Sequence, residues 1–528
     1  MNQNIIIMKI NILPKALLIL LLTVTSMSCR KDLLSISDPN TFNYANYFNT
    51  PDEIRQGSTA IYLSFYNNDM MGFQWPEMFD VLANEAQPSL PALANEPMVS
   101  ALWQYQFENT NTVIGQFWKM CYQMILRSNL VLDKGAQYIA KNGDDNAHVV
   151  SQSMGEAYFL RGYAYFQLAF YWGKVPIRKS FDQSNNINAP RAASADDVWA
   201  VAEDDLKHAQ TMLPAKWDDA NVGRATSGAA TGFLGKLYLY TNKYTEALAQ
   251  FNSLSGQYSL LPGSQWEDNF GETNKNNAES LFEVQFQWFD GNWWLAPITV
   301  SEGVNNLPGT QSGRQQLYGW NDWGNWFFPS RRANDFVYTD ETGSSYTDPR
   351  AQLTFYGGIG AMTWLNKSPG GPKPFDFATL GYWYKKILNK EYKETENNLQ
   401  SSNNLRLLRY ADVLLMAAEC KLNLDDVSGC MDLINQVRTR IGAFTYQKTY
   451  SKDQAFDLLK RERQLELMGE QHRFDDLKRW NILVETMNIE TQALFGAPRV
   501  SAKHLLFPIP LSEIDTNLGL GTVSDQWN

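Results

Sequence analysis

Trp266, Trp288, Trp293, Trp294, Trp320, Trp323 and Trp326 crowd one mid-chain stretch, with Asn292, Arg314, Gln315, Asn321, Asp322 and Asn325 as polar neighbours. Flat apolar rings beside amides and carboxylates suit a sugar, whose C–H faces pack on rings while its hydroxyls need paired donors and acceptors. For any single indole, core packing is the competing explanation. The pairs Trp293–Trp294 and Trp320–Trp323 carry polar flanks that mark exposed loops, so they lead the candidates. Acids also lie near tryptophans: Glu77, Asp80, Glu85, Glu302 and Asp322. A glycosidase needs two carboxylates roughly 5 to 9.5 Å apart, but no local motif singles out an acid or a nucleophile. Binding without catalysis is therefore the expected chemistry.

Other chemistries find little support. The four histidines include none within helical reach of another His or a Cys at ligand spacing, which argues against zinc. Asp340, Glu341 and Asp348 lack calcium-loop spacing. The glycine-rich pieces at 357–360 and 369–372 are predicted turns, not phosphate cradles. No metal or cofactor is expected. The formal charge of −11 argues against nucleic acid, which favours a basic face.

Whatever holds the tryptophans must be mostly helical. The chain of 528 residues is 44% apolar and 19% charged, an ordinary globular balance, and its 13% aromatic share is the unusual part. Helical periodicity marks residues 51–66, 112–138, 149–172 and 196–212, the first opening on Pro51, Asp52 and Glu53. Residues 231–254 resemble a tetratricopeptide hairpin, with Leu234, Gly235, Tyr238, Tyr244, Ala247 and Phe251 at the repeat spacing. Gly162 and Tyr165 begin a second copy, residues 410–437 read as a third, and the first two helices suggest a fourth pair. From 256 to 400 the periodicity gives way to Gly, Asn, Pro and Trp, with one clear strand at 280–286. So long an irregular insertion is usually functional. The expected fold is mainly α: a tetratricopeptide-type scaffold of helical hairpins carrying a large, loop-rich insertion with a few short strands.

The first 28 residues read as a targeting segment: Lys9 and Lys15, the apolar run 16–24, then Ser26 and Ser28 before Cys29. Its loss would take the charge to −13, with 43 basic against 56 acidic residues. A signal peptide ending at a cysteine looks like a bacterial lipobox, with Cys29 as the acylated N-terminus and membrane attachment through lipid. The other cysteines, Cys121, Cys420 and Cys430, are expected to be buried free thiols, although Cys420 and Cys430 could meet across a hairpin. The division is then a signal peptide at 1–28, a lipidated tether at 29–50, a helical repeat region at 51–255, the insertion at 256–400, and a C-terminal helical part at 401–528.

The most telling stretch is 451–480. Ser451 and Gln454 form a capping box, Gly469 marks a break between two amphipathic pieces, and six basic and five acidic side chains interleave between Lys460 and Arg479. Arg463, Glu466, Glu470, Arg473, Asp476 and Arg479 are placed to form an ion-pair lattice, which sets geometry more than it adds stability. Together with Glu462, Leu467, His472, Leu477 and Trp480, with residues 409–420 and 507–515, and with the lipobox, this stretch resembles the SusD/RagB family of outer-membrane nutrient-binding lipoproteins. Gln471 departs from the pattern, standing where the family usually has Gly, so a left-handed backbone there would carry about 1 kcal/mol of strain.

The resemblance implies a non-catalytic cell-surface protein at the outer membrane, facing outward, that passes oligosaccharide or polysaccharide to a SusC-like TonB-dependent transporter. It also implies a ligand platform where the insertion meets the loop after the first helix, here residues 73–103. The candidate ligand-binding residues are thus Trp75, Asp80, Asn84, Trp103, Trp288, Asn292, Trp293, Trp294, Arg314, Trp320, Asp322 and Trp323. A RagB-like peptide binder, a glycoside hydrolase and a repeat scaffold with no small ligand are the alternatives.

Overall fold

The hydroxyl of Thr50 accepts the Glu53 N–H at 3.2 Å while the Glu53 carboxylate accepts the Thr50 N–H at 2.9 Å, and this reciprocal cap, with Pro51 following, starts helix α1 (Pro51–Tyr62). The computed structural model describes residues 47–144, 148–184, 186–287, 312–314, 318, 327–329, 331–357, 382–388 and 401–521. The chain divides into two compact units, residues 1–49 and 50–528, and the helices and strands below belong to the second. The targeting segment and Cys29 lie outside the described residues. Among the described residues no helix is long and apolar enough to cross a membrane.

The helices form where their caps and periodicity require them. After α1 the chain tightens through a 3-10 stretch (Leu63–Asp69) and a π turn (Met70–Gln74) into α2 (Trp75–Leu82). α3 (Thr112–Asn142) starts where Asn111 accepts the N–H groups of Val113 and Ile114, and it overruns its predicted end by one turn to Gly143. α4 (Val149–Trp172) has the predicted bounds and closes on Gly173 at a φ of +72°. α5 (Ala195–Met212), α6 (Ser227–Tyr240) and α7 (Tyr244–Ser253) follow. Beyond the insertion come α8 (Tyr410–Asn423), α9 (Val427–Arg440), α10 (Lys452–Leu467), α11 (Arg473–Arg479) and α12 (Leu483–Phe495).

The architecture is mainly α. Helices α3 to α8 pack successively, each on the next, and α8 carries both α9 and α10, so the helical hairpins stack in a row. α1 lies against α3 and α4. Small residues permit the close approaches: a Cβ at Gly235 on α6 would come within 2.5 Å of the Phe251 ring on α7. Arg161 on α4 locks onto Asp205 of α5 through two bonds of 2.8 and 2.7 Å. Cys121, Cys420 and Cys430 are buried free thiols.

The insertion leaves and returns along one ladder. Strand β2 (Ser280–Val284) pairs antiparallel with β8 (Leu405–Arg409), from Ser280 opposite Arg409 to Val284 opposite Leu405. Alternation predicts one wet face here, yet Leu281 to Val284 are all buried. Glu283 tolerates this because Asn404 Nδ2 donates to it at 2.7 Å and Arg406 lies 3.3 Å away. Three smaller antiparallel pairs lie among the described residues: β1 (Ala86–Pro88) with β3 (Phe327–Pro329), β4 (Val337–Thr339) with β5 (Ser345–Thr347), and β6 (Phe355–Gly357) with β7 (Tyr382–Tyr384). Gly357, read from sequence as part of a turn, ends β6.

Candidate functional site

The loop after α1 and the aromatic insertion are sewn together. β1 and β3 pair Ala86 with Pro329, Gln87 with Phe328 and Pro88 with Phe327. The Gly313 N–H donates to the Gly72 carbonyl at 2.9 Å. The Tyr318 hydroxyl donates to Asp80 at 2.6 Å, and the Tyr384 hydroxyl to the Glu85 carbonyl at 2.9 Å. The break between α10 and α11 forms the third side. Gln471 Nε2 donates to both Asp80 oxygens at 3.0 and 3.2 Å, and the Gly469 N–H reaches Glu85 at 3.3 Å. Arg473 donates to the Ala83 carbonyl at 2.6 Å and to Glu490 at 2.9 Å, while Asn84 reaches the other Glu490 oxygen at 2.6 Å.

Burial governs the electrostatics of this seam. Asp80 is pushed up to about 6 by burial, which the bonds from Tyr318 and Gln471 only partly oppose. Burial and the neighbouring Asp80 charge push Glu85 up to about 8. Glu77 is raised well above the usual range by burial and then by the charges of Glu96 and Asp80, and neither of its carboxylate oxygens has a hydrogen-bond partner among the described residues. The indole N–H groups of Trp75 and Trp103 are likewise buried without partners among the described residues.

Beneath the seam lies an ion-pair network. Glu466 contacts Arg350 at 3.0 Å, Arg409 at 2.8 Å and Arg440 at 2.5 Å. Burial alone would raise its carboxyl, but the charges of Arg440, Arg409 and Arg350 outweigh it and hold the group well below the usual range. Glu470 pairs with Lys386 at 2.6 Å and Arg409 at 2.7 Å. The lattice expected within 451–480 is only partly internal. Arg463 and Arg479 share Asp476, each at 2.7 Å, whereas Glu466, Glu470 and Arg473 find their partners outside the stretch. The stretch therefore clamps β7, β8 and α12 to the helical row.

Each sequence-derived candidate has a definite place or lies outside the described residues. Trp75 is buried edge-on against Phe79, and Trp103 is half-buried against Phe495. Asp80 and Asn84 are interior and held by the protein partners above. Arg314 is buried and donates to the Asn404 carbonyl at 3.0 Å; burial and the charge of Arg406 bring it down to about 10. Trp288, Asn292, Trp293, Trp294, Trp320, Asp322 and Trp323 lie outside the described residues. Trp266, from the same tryptophan-rich stretch, is fully buried, donates to Glu466 at 3.2 Å and has Lys386 Nζ 5.1 Å from its ring centroid. Tyr318 and Tyr384 were not legible as seam residues, because a tyrosine in an irregular stretch carries no local signal of its distant partner.

Two family models match the chain. One, described as "SusD family", covers residues 321–524, and the other, described as "Starch-binding associating with outer membrane", covers residues 78–239. Residues 321–524 belong to the SusD family. Among SusD relatives, a SusD-like protein P25 of Formosa agariphila is 24% identical over 519 residues, covering 92% of this chain and 93% of that one. A SusD-like protein of Bacteroides ovatus is 24% identical over 504 residues, 90% of this chain and 83% of that one. The SusD-type fold recurs in a SusD superfamily protein of Bacteroides vulgatus, with a TM-score of 0.72, 25% identity, and coverage of 90% and 98%. Surface glycan-binding protein A of Bacteroides thetaiotaomicron, solved in complex with laminarihexaose, superposes with a TM-score of 0.68 at 21% identity, covering 88% and 97%.

Proposed function

We propose that this chain is a non-catalytic surface lipoprotein that captures oligosaccharide on the aromatic insertion and passes it to a SusC-like TonB-dependent transporter in the outer membrane. The observation that carries the reading is the seam: β1–β3 pairing and the Tyr318–Asp80 bond hold the tryptophan-rich insertion against the loop after α1. Trp293, Trp294, Trp320 and Trp323 supply stacking faces, with Asn292 and Asp322 for hydroxyls. Trp75, Glu77 and Trp103 belong to the loop side of this seam and stiffen it from within. Asp80, Asn84 and Arg314 act by positioning these elements. The relative solved with laminarihexaose favours a glycan over a peptide. No step of capture requires a covalent intermediate, metal or cofactor. The tether at 29–50, acylated at Cys29, would keep the helical row at the outer face of the membrane.

Titration of the lipid-free protein against panels of polysaccharides and peptides, following tryptophan fluorescence and new reducing ends, tests this. Saturable quenching by a glycan without product is the expected result. Release of reducing sugar would replace capture with hydrolysis, and quenching by peptides alone would replace the glycan.

A further inference from the structure

A cleft of about 420 Å³ opens between the α5–α6 connection, residues 213–226, and the segment 255–283 that leads into β2, and none of its lining comes from the seam. That volume falls within the roughly 300 to 1,000 Å³ of small-molecule sites. Trp217 is half-buried there, its ring fixed because the indole N–H donates to the Ala225 carbonyl at 2.7 Å. The Arg224 guanidinium lies 5.9 Å from the ring centroid. Arg224 is itself anchored, by two 2.9 Å bonds to the buried Glu156 and one of 2.7 Å to Thr59, none of which uses its Nε. Tyr258 faces the same space, its hydroxyl 3.3 Å from the Thr226 Oγ1, with Asn276 and Asn277 beside it.

We propose that this cleft is a second carbohydrate-binding site, taking a short segment of oligosaccharide against Trp217 and Tyr258. The proposal rests on the glycan-binding reading above. Immobilised aromatic rings give stacking faces without loss of side-chain freedom on binding, and the adjoining amides and Arg224 offer hydrogen bonds to hydroxyls. A phosphate-type ligand is disfavoured because Glu156 already offsets the Arg224 charge. A second site would retain a long polysaccharide whose other end is held on the aromatic insertion, raising avidity without tighter contacts at either place.

The test is ¹⁹F NMR of the protein labelled with 5-fluorotryptophan, with the Trp217 resonance assigned by Trp217→Phe. The probes are laminarihexaose, maltohexaose, cellohexaose and xylohexaose, with a mixed hexapeptide pool as control. The expected result is a saturable shift of Trp217 with at least one hexasaccharide, retained in the Trp293→Ala, Trp294→Ala double variant, and a fall from two bound sugars per chain to one in Trp217→Ala. Shifts at other tryptophans with Trp217 unmoved would overturn this site and leave the seam intact. Absence of any shift with every sugar would overturn the glycan reading and this site with it. A Trp217 response to peptides alone would overturn the ligand class.

Discussion

Gln471 holds both oxygens of Asp80, at 3.0 and 3.2 Å, from a backbone φ of +63°. A strained residue thus ties the α10–α11 break to the loop after α1. Glycine would remove the strain, worth about 1 kcal/mol. It would also remove the donor that Asp80 needs in the interior, a loss of about 1 to 3 kcal/mol. Gln471→Gly is therefore expected to be destabilised or at best neutral, and Gln471→Ala, which keeps the strain, to be clearly worse. Urea unfolding of the two variants checks this order, and a Gln471→Gly protein more stable than the parent would contradict it.

The raised carboxyls give a pH dependence of defined sign. Glu85 rises from 4.5 to about 8 in the folded state, so between those values the folded protein binds more protons than the unfolded chain. Its contribution to stability is fully present below the unfolded value and is lost as pH rises towards 8. Glu466 and Glu470, held below the usual range, act oppositely and lose their contribution as pH falls. Relative to Glu85→Gln, the parent should lose stability steadily from pH 5 to pH 8. Unfolding curves of both proteins across that range measure the difference, and a constant difference would show that Glu85 is ionised throughout.

Glu466 compensates three buried arginines, Arg350, Arg409 and Arg440, so its charge matters beyond any one bond. Removing one member of a buried ionic network typically costs about 3 to 5 kcal/mol. Glu466→Gln is expected to lose stability on that scale in denaturant unfolding, whereas removal of the exposed Lys452–Asp425 pair should shift it by less than about 1 kcal/mol.

Gly235 sets the distance between α6 and α7. Alanine there would press on the Phe251 ring, and overpacking of this kind costs about 1 to 3 kcal/mol. Gly235→Ala should lower the melting temperature, and adding Phe251→Leu should recover part of the loss.

Much of the helical row was legible because its signals are local. The capping box of Ser451 and Gln454, the spacing of Gly235 and Phe251, and the Gly173 stop each depend on residues within about twenty positions. The seam was legible as a region but not residue by residue. Asp80 reads as a ligand-binding acid, and the partners that draw it inward, Tyr318 and Gln471, lie 238 and 391 residues away. Core packing, the competing explanation for any single indole, holds for Trp266, where Glu466, 200 residues on, supplies the acceptor that lets the indole be buried.

If indoles of the insertion hold the sugar, removing two of them must weaken binding. The most direct measurement is the affinity of the Trp293→Ala, Trp294→Ala double variant for whichever oligosaccharide the parent binds best. The expected result is binding at least about tenfold weaker, at roughly 1 kcal/mol or more per ring, with an unchanged unfolding curve. Undiminished affinity in a folded double variant would contradict it.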